Sequence, residues 1–146
     1  NATTSNTTTE APAATPAAPA ETPAAPAGGA NVDLSNKGIG PVKAVNPPLA
    51  ATPDQALAEK GKELFKLNCT ACHKPTKKFI GPAPKGILER RAPEWVLNMI
   101  LNPEEMIAND PIAKQLLAEA NGAPMANQHL NEEQARAILE YFRTIE

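Results

Sequence analysis

The chain has 146 residues, a formal charge of −2 and 42% hydrophobic residues, a length and balance that suit one domain and give no broadly basic stretch with interleaved aromatics for nucleic acid. Aromatic residues make up only 3% and there are sixteen prolines, so the chain's own side chains would build a poor core for a domain of this length. No run of eighteen or more apolar residues occurs, which leaves no helical membrane span in the sequence.

Residues 1–29 are of low complexity. Asn1 to Thr9 is nearly all Asn, Thr and Ser, Ala-Pro repeats run from Ala11 to Ala27, and Gly28-Gly29 closes the stretch. Too few large apolar side chains are present to offset ordering entropy, and the prolines favour an extended chain of about 3 Å per residue. This composition predicts a tether or spacer; the alternative is a dispensable extension. In residues 30–51, Val32, Leu34, Ile39, Val42, Val45 and Leu49 alternate with Gly38, Gly40, Pro41, Pro47 and Pro48. That pattern predicts extended chain, either wrapped on the domain or free as a linker.

The domain is expected over residues 52–146. Thr52-Pro53-Asp54-Gln55 reads as a helix start, with Thr52 as N-cap, Pro53 in the first helical position and Gln55 in the capping-box place. The helix is predicted to run to about Asn68, with Leu57, Gly61, Leu64 and Phe65 on its apolar face and Cys69 one turn further along the same side.

Cys69-Thr70-Ala71-Cys72-His73 follows. Two cysteines three apart and then a histidine form the attachment pattern of a c-type haem, in which thioether bonds hold the porphyrin and the imidazole ligates iron. Three other chemistries use Cys-x-x-Cys. A redox dithiol belongs at a strand-to-helix junction, and no strand pattern appears. A structural zinc site needs four ligands, and His129 is the only other histidine, with no third cysteine. A structural disulfide does not account for the adjoining His73. Haem also supplies the large apolar body that the sparse core lacks.

Pro75 to Gly86 carries three prolines and two glycines and is predicted to be irregular. Pro93-Glu94 opens a helix to about Leu101, Asn102-Pro103-Glu104-Glu105 opens a short one with Met106 and Ile107, and Asp110-Pro111 opens another to Ala120, closed by Asn121-Gly122. Ala123 to Leu130 is non-helical. Asn131 then caps a last helix with Ala135, Ile138, Leu139, Phe142 and Ile145 in one stripe. The expected class is all-α.

Four side chains compete for the sixth iron position. Met99 and Met106 sit at helical spacings among apolar neighbours, where methionine is usually core filler. Met125 follows Pro124 in an irregular loop and is the expected ligand, while His129 is expected to be an exposed loop residue. Charge is unevenly distributed. From Glu59 to Arg91 nine basic residues face three acids, and from Glu94 to Glu146 three basic residues face nine acids. That separation either orients the protein toward an acidic docking surface or is simply a solvated surface.

Over about residues 54–146 the sequence resembles the class I mono-haem c-type cytochromes. Phe65 and Gly61 stand four and eight residues before Cys69, where that family has an aromatic and a glycine, and Ile138 and Tyr141 match its last helix. Gly81-Pro82 matches the Gly-Pro whose proline carbonyl orients the proximal histidine, and Pro124-Met125 matches the distal methionine. The resemblance implies short helices around one covalently bound haem c, with Cys69 and Cys72 as anchors, His73 and Met125 on the iron, and Pro82 orienting His73. Trp95 is left with two readings, a partner of a haem propionate or an indole packed in the core or against the haem. The N-terminal extension and the added helices between Pro103 and Ala120 depart from the minimal family.

The function implied is one-electron transfer in a bacterial respiratory chain, to a terminal oxidase or reductase, by a protein that is not an enzyme and is monomeric when free. A subunit docked in a larger respiratory complex, and a haem peroxidase or gas sensor with a labile sixth ligand, are the alternatives. Because covalent haem attachment takes place outside the bacterial cytoplasm, Asn1 reads as the start of a processed, exported chain. The expected location is the periplasm or the outside of the cytoplasmic membrane, with membrane tethering, including a lipid anchor, through an N-terminus not in this chain.

Overall fold

The computed structural model describes residues 32–146. The stretch 1–29 read as a tether lies outside the described residues, as do the first two residues of the segment 30–51. Five helices follow: α1 Gln55–Asn68, α2 Pro93–Leu101, α3 Pro103–Asn109, α4 Pro111–Glu119 and α5 Glu132–Arg143, with one 3-10 turn at Ile87–Glu89 before α2. There is no strand among the described residues, only an isolated parallel bridge between Asp33 and Arg91.

The helix starts follow local chemistry. Prolines stand at the first turn of α2, α3 and α4, where a missing N–H costs nothing. Asp110 caps α4 by accepting from the N–H groups of Ile112 and Ala113, and Asn131 with Gln134 forms a capping box on α5. The start of α1 differs from expectation. Its N-cap is Asp54, which accepts from the Leu57 N–H, and Thr52 lies outside the helix. The reason is tertiary: the Asp54 N–H donates to the carboxylate of Glu140 on α5 at 3.2 Å, which holds Asp54 in extended geometry and moves the cap two residues along.

α1 crosses α5 at Gly61. A Cβ there would lie 2.8 Å from the Ile138 nitrogen and still closer to the Ala137 carbonyl, so only glycine permits this approach. One turn later Phe65 meets Tyr141 at 5.5 Å and Phe142 edge-on at 5.8 Å between ring centroids. Such pairs contribute about 0.5–1.5 kcal/mol beyond their buried area. Phe65, Ile138 and Leu139 are buried in this core.

Residues 33–50 lie on the helical body. Asn98, buried on α2, accepts from the Val42 N–H and donates to the carbonyls of Lys37 and Val42, each at 2.9 Å. The Ile39 N–H donates to the Met106 sulfur at 3.0 Å, and Val42 is buried. Near its end the segment is held from α5, where Arg136 donates to the Pro47 carbonyl at 2.6 Å and Arg143 to the Ala50 carbonyl. Both arginines also pair with buried Glu140. A buried carboxylate is costly unless paired and hydrogen-bonded, and here two guanidinium groups and the Asp54 N–H supply that.

Candidate functional site

After α1 the chain makes one more helical turn. The N–H groups of Cys72 and His73 both donate to the Cys69 carbonyl, at 3.1 and 2.8 Å. Residues at these spacings share one side of a helical turn, so the backbone aims Cys69, Cys72 and His73 together. The chain then doubles back, with the Gly81 N–H donating to the Cys72 carbonyl at 2.8 Å. Pro82 is thereby brought to the imidazole, and His73 Nδ1 lies 2.9 Å from the Pro82 carbonyl oxygen. A carbonyl can only accept, so Nδ1 carries the proton and Nε2 keeps its lone pair for a metal. Gly81 permits this packing, since a Cβ would stand 2.8 Å from His73 Nδ1 and 3.0 Å from Nε2.

Cys69, Cys72, His73, Pro82, Trp95 and Met125 all line one cavity. It measures about 970 Å³ counted out into the solvent at its open side, and is lined by apolar side chains of α2, α4 and α5 together with the loops from Cys69 to Ile87 and from Ala120 to Met125. Cys69 is partly buried and Cys72 exposed. As a thiol, before attachment, Cys69 is pushed up to about 11, by burial first and by the neighbouring Cys72 second. Among the described residues no three His, Cys, Asp or Glu side chains gather as a metal site. One imidazole nitrogen, the thioethers of Met99 and Met125 and two cysteine sulfurs along a large apolar cavity instead suit an iron porphyrin joined through sulfur.

The fold keeps two of the four ligand candidates on the cavity wall and two away from it. Met125 lines the cavity from the loop before α5, and Met99 lines it from α2. Met106 is fully buried and its sulfur is engaged by Ile39. His129 is exposed, adopts a positive φ of 54° and is not part of the wall. Trp95 is 3% exposed and its indole N–H donates to Asp110 at 3.1 Å. That donor is used inside the protein, while the indole itself lines the cavity. Arg91 lies over the Trp95 ring at 5.5 Å, and burial, followed by the nearby Arg90, lowers its pKa from the usual value.

Two side chains have tertiary roles beyond their local pattern: Asp110, a helix cap by sequence, also binds Trp95 and Asn36, and Asn98 holds the extended segment. Asn98 interrupts the apolar run Trp95 to Ile100, and a polar side chain inside such a run signals a tertiary hydrogen-bond partner.

The cytochrome c family model matches residues 58–146. The chain belongs to the cytochrome c family. As a cytochrome c it carries covalently bound haem c with iron and is a haem-containing electron carrier. It is similar to the solved cytochrome c from Rhodothermus marinus, with 48% identity over 73% of this chain and 89% of that one and a TM-score of 0.68. An engineered form of that cytochrome c is similar at 47% identity, covering 73% of this chain and 90% of that one, with a TM-score of 0.68. The engineered form bound to a carbene intermediate is similar at 47% identity, covering 73% and 89%, with a TM-score of 0.65. No match is found among curated proteins.

Proposed function

We propose that this cytochrome c is a one-electron carrier of a bacterial respiratory chain, working in the periplasm and delivering electrons to a terminal oxidase or reductase. The observation that carries the reading is the donor set of the cavity: His73, held by Pro82 with Nε2 available, and Met125 on the wall. In this reading Cys69 and Cys72 would anchor the haem through thioether bonds, and His73 and Met125 would be the two protein ligands of its iron, leaving none of its coordination to a substrate. Bound haem supplies an iron that changes oxidation state by one electron, and His/Met ligation favours a higher potential than two histidines. The chain's own residues orient the ring, exclude water and hold the imidazole proton on Nδ1.

The cavity rim supports docking to an acidic partner. Cys72 is exposed there, Phe79 and Ile80 on the loop that follows are 49% and 42% exposed, and the Lys74 ammonium lies 4.8 Å from the Phe79 ring centroid. Lys77, Lys78 and Lys85 are exposed on the same loop. An apolar centre ringed by lysines suits a partner with an apolar patch and a carboxylate rim. The composition of residues 1–29 suits a tether that raises the local concentration of the domain near a membrane-bound partner.

The test is stopped-flow electron transfer to an isolated terminal oxidase or reductase across a salt series. The double variant Lys74→Glu with Lys77→Glu should slow the reaction about tenfold at low salt and flatten its salt dependence, with an unchanged absorption spectrum. Equal rates for variant and parent at every salt concentration would remove the docking reading. Purification from native membranes in fixed stoichiometry with other subunits would replace the shuttle with a docked subunit.

A further inference from the structure

Asp110 joins three parts of the molecule that the haem chemistry does not explain. Its carboxylate is 2% exposed. Oδ1 accepts from the Trp95 indole at 3.1 Å and from the N–H groups of Ile112 and Ala113 at 3.0 and 2.9 Å. Oδ2 accepts from the Asn36 amide at 2.7 Å, from a residue 74 positions away. One buried carboxylate therefore ties the extended segment, the cavity wall at Trp95 and the start of α4.

The far end of α4 leads to Met125. After Glu119 the chain turns through Asn121 and Gly122, with φ of 55° and 80°, and reaches Pro124-Met125 within one further residue. Between Pro124 and Leu130 no backbone hydrogen bond to backbone forms among the described residues. The side-chain tie from this loop to a helix is Asn127 to Glu104 at 3.3 Å. The position of Met125 thus depends largely on where α4 is held, and Ala113, Leu116 and Leu117 of α4 share the cavity with it.

We propose that Asn36 and Asp110 are positioning residues for the sixth ligand: the extended segment, acting through Asp110 and α4, holds Met125 on the haem iron. This rests on Met125 being that ligand. The physical basis is that a buried carboxylate stripped of one donor bears a desolvation cost. It relieves that cost by moving toward water, and the first turn of α4 and the Trp95 indole move with it. Against that movement the Met125 loop has, among the described residues, only the Asn127 bond and the core packing of Met125 and Leu130, with no backbone hydrogen bond to backbone between Pro124 and Leu130.

The test uses the intact haem protein and carbon monoxide, which binds reduced iron only where the thioether has left. Asn36→Ala should raise the carbon monoxide association rate about tenfold and weaken the sulfur-to-iron charge-transfer band of the oxidised protein. Arg136→Ala is the control. It loosens the same extended segment at Pro47 without touching Asp110, so it should lower thermal stability while leaving rate and band as in the parent. A parental rate and band in Asn36→Ala, or the same increase in Arg136→Ala, would overturn the proposal. Met125→Ala examines the underlying assignment separately: persistence of the band there would show that another side chain ligates the iron, whatever Asn36→Ala does.

Discussion

The imidazole of His73 illustrates how much one hydrogen bond decides. Its Nδ1 proton goes to the Pro82 carbonyl at 2.9 Å, which leaves a single nitrogen for iron and fixes the ring plane. If Met125 is the second ligand, as proposed, Met125→His is expected to keep a six-coordinate, low-spin spectrum while lowering the midpoint potential, because thioether sulfur favours reduced iron more than imidazole does. Spectroelectrochemistry measures both together. Tyr141 supplies a test of pH dependence. Burial raises its phenol above the ordinary value of 10.0, so the folded protein retains a proton that the unfolded chain releases first. The sign follows: this contribution is fully present below about pH 10 and is lost as pH rises through the raised folded value. Denaturant titrations of the reduced protein should show stability falling on that limb, and Tyr141→Phe should flatten the fall.

At the scale of elements, the α1–α5 crossing is the most constrained contact. The backbone of Ala137 and Ile138 occupies the space a side chain at position 61 would need. Backbone cannot rotate away as a side chain can, so Gly61→Ala should cost at least about 1–3 kcal/mol, read as a lower denaturation midpoint of the haem protein. Asn131→Ala removes the capping box of α5 and should cost about 1 kcal/mol by the same measurement. The ordering of the two losses separates interface from cap. A smaller loss for Gly61→Ala would mean that α5 slides along α1 more easily than the ring contacts of Phe65 with Tyr141 and Phe142 imply.

For the whole molecule, the issue is what fills its centre. The helices α2, α4 and α5 and the loops around His73 and Met125 all turn apolar side chains toward the same cavity. With aromatic residues at only 3% of the sequence, much of the apolar burial that would stabilise these short helices is contact with haem. Replacing both Cys69 and Cys72 by Ala should therefore give a haem-free chain that has lost most helical circular dichroism and cooperative unfolding. A compact, cooperatively melting apoprotein would show that the α1–α5 pair and the segment 33–50 suffice without the cofactor.

The sequence by itself determined those features whose causes lie within a turn of chain. Asn102-Pro103 and Asp110-Pro111 start helices because proline fits the first turn, with Asp110 also capping the N–H groups of its own helix, and both starts stand where the sequence put them. Cys69 to His73 was legible for the same reason, since attachment chemistry demands the residues at that spacing. Other features were settled only by the tertiary structure. Asp54 displaced Thr52 as the cap because Glu140, 86 residues away, takes its N–H. Trp95 gives its N–H to Asp110, and Asn98 binds the segment 37–42, through pairings that no local pattern encodes. The physical reason is one of range. Capping and turn chemistry are complete within a few residues, whereas a buried polar side chain finds its partner only once the core has closed around it.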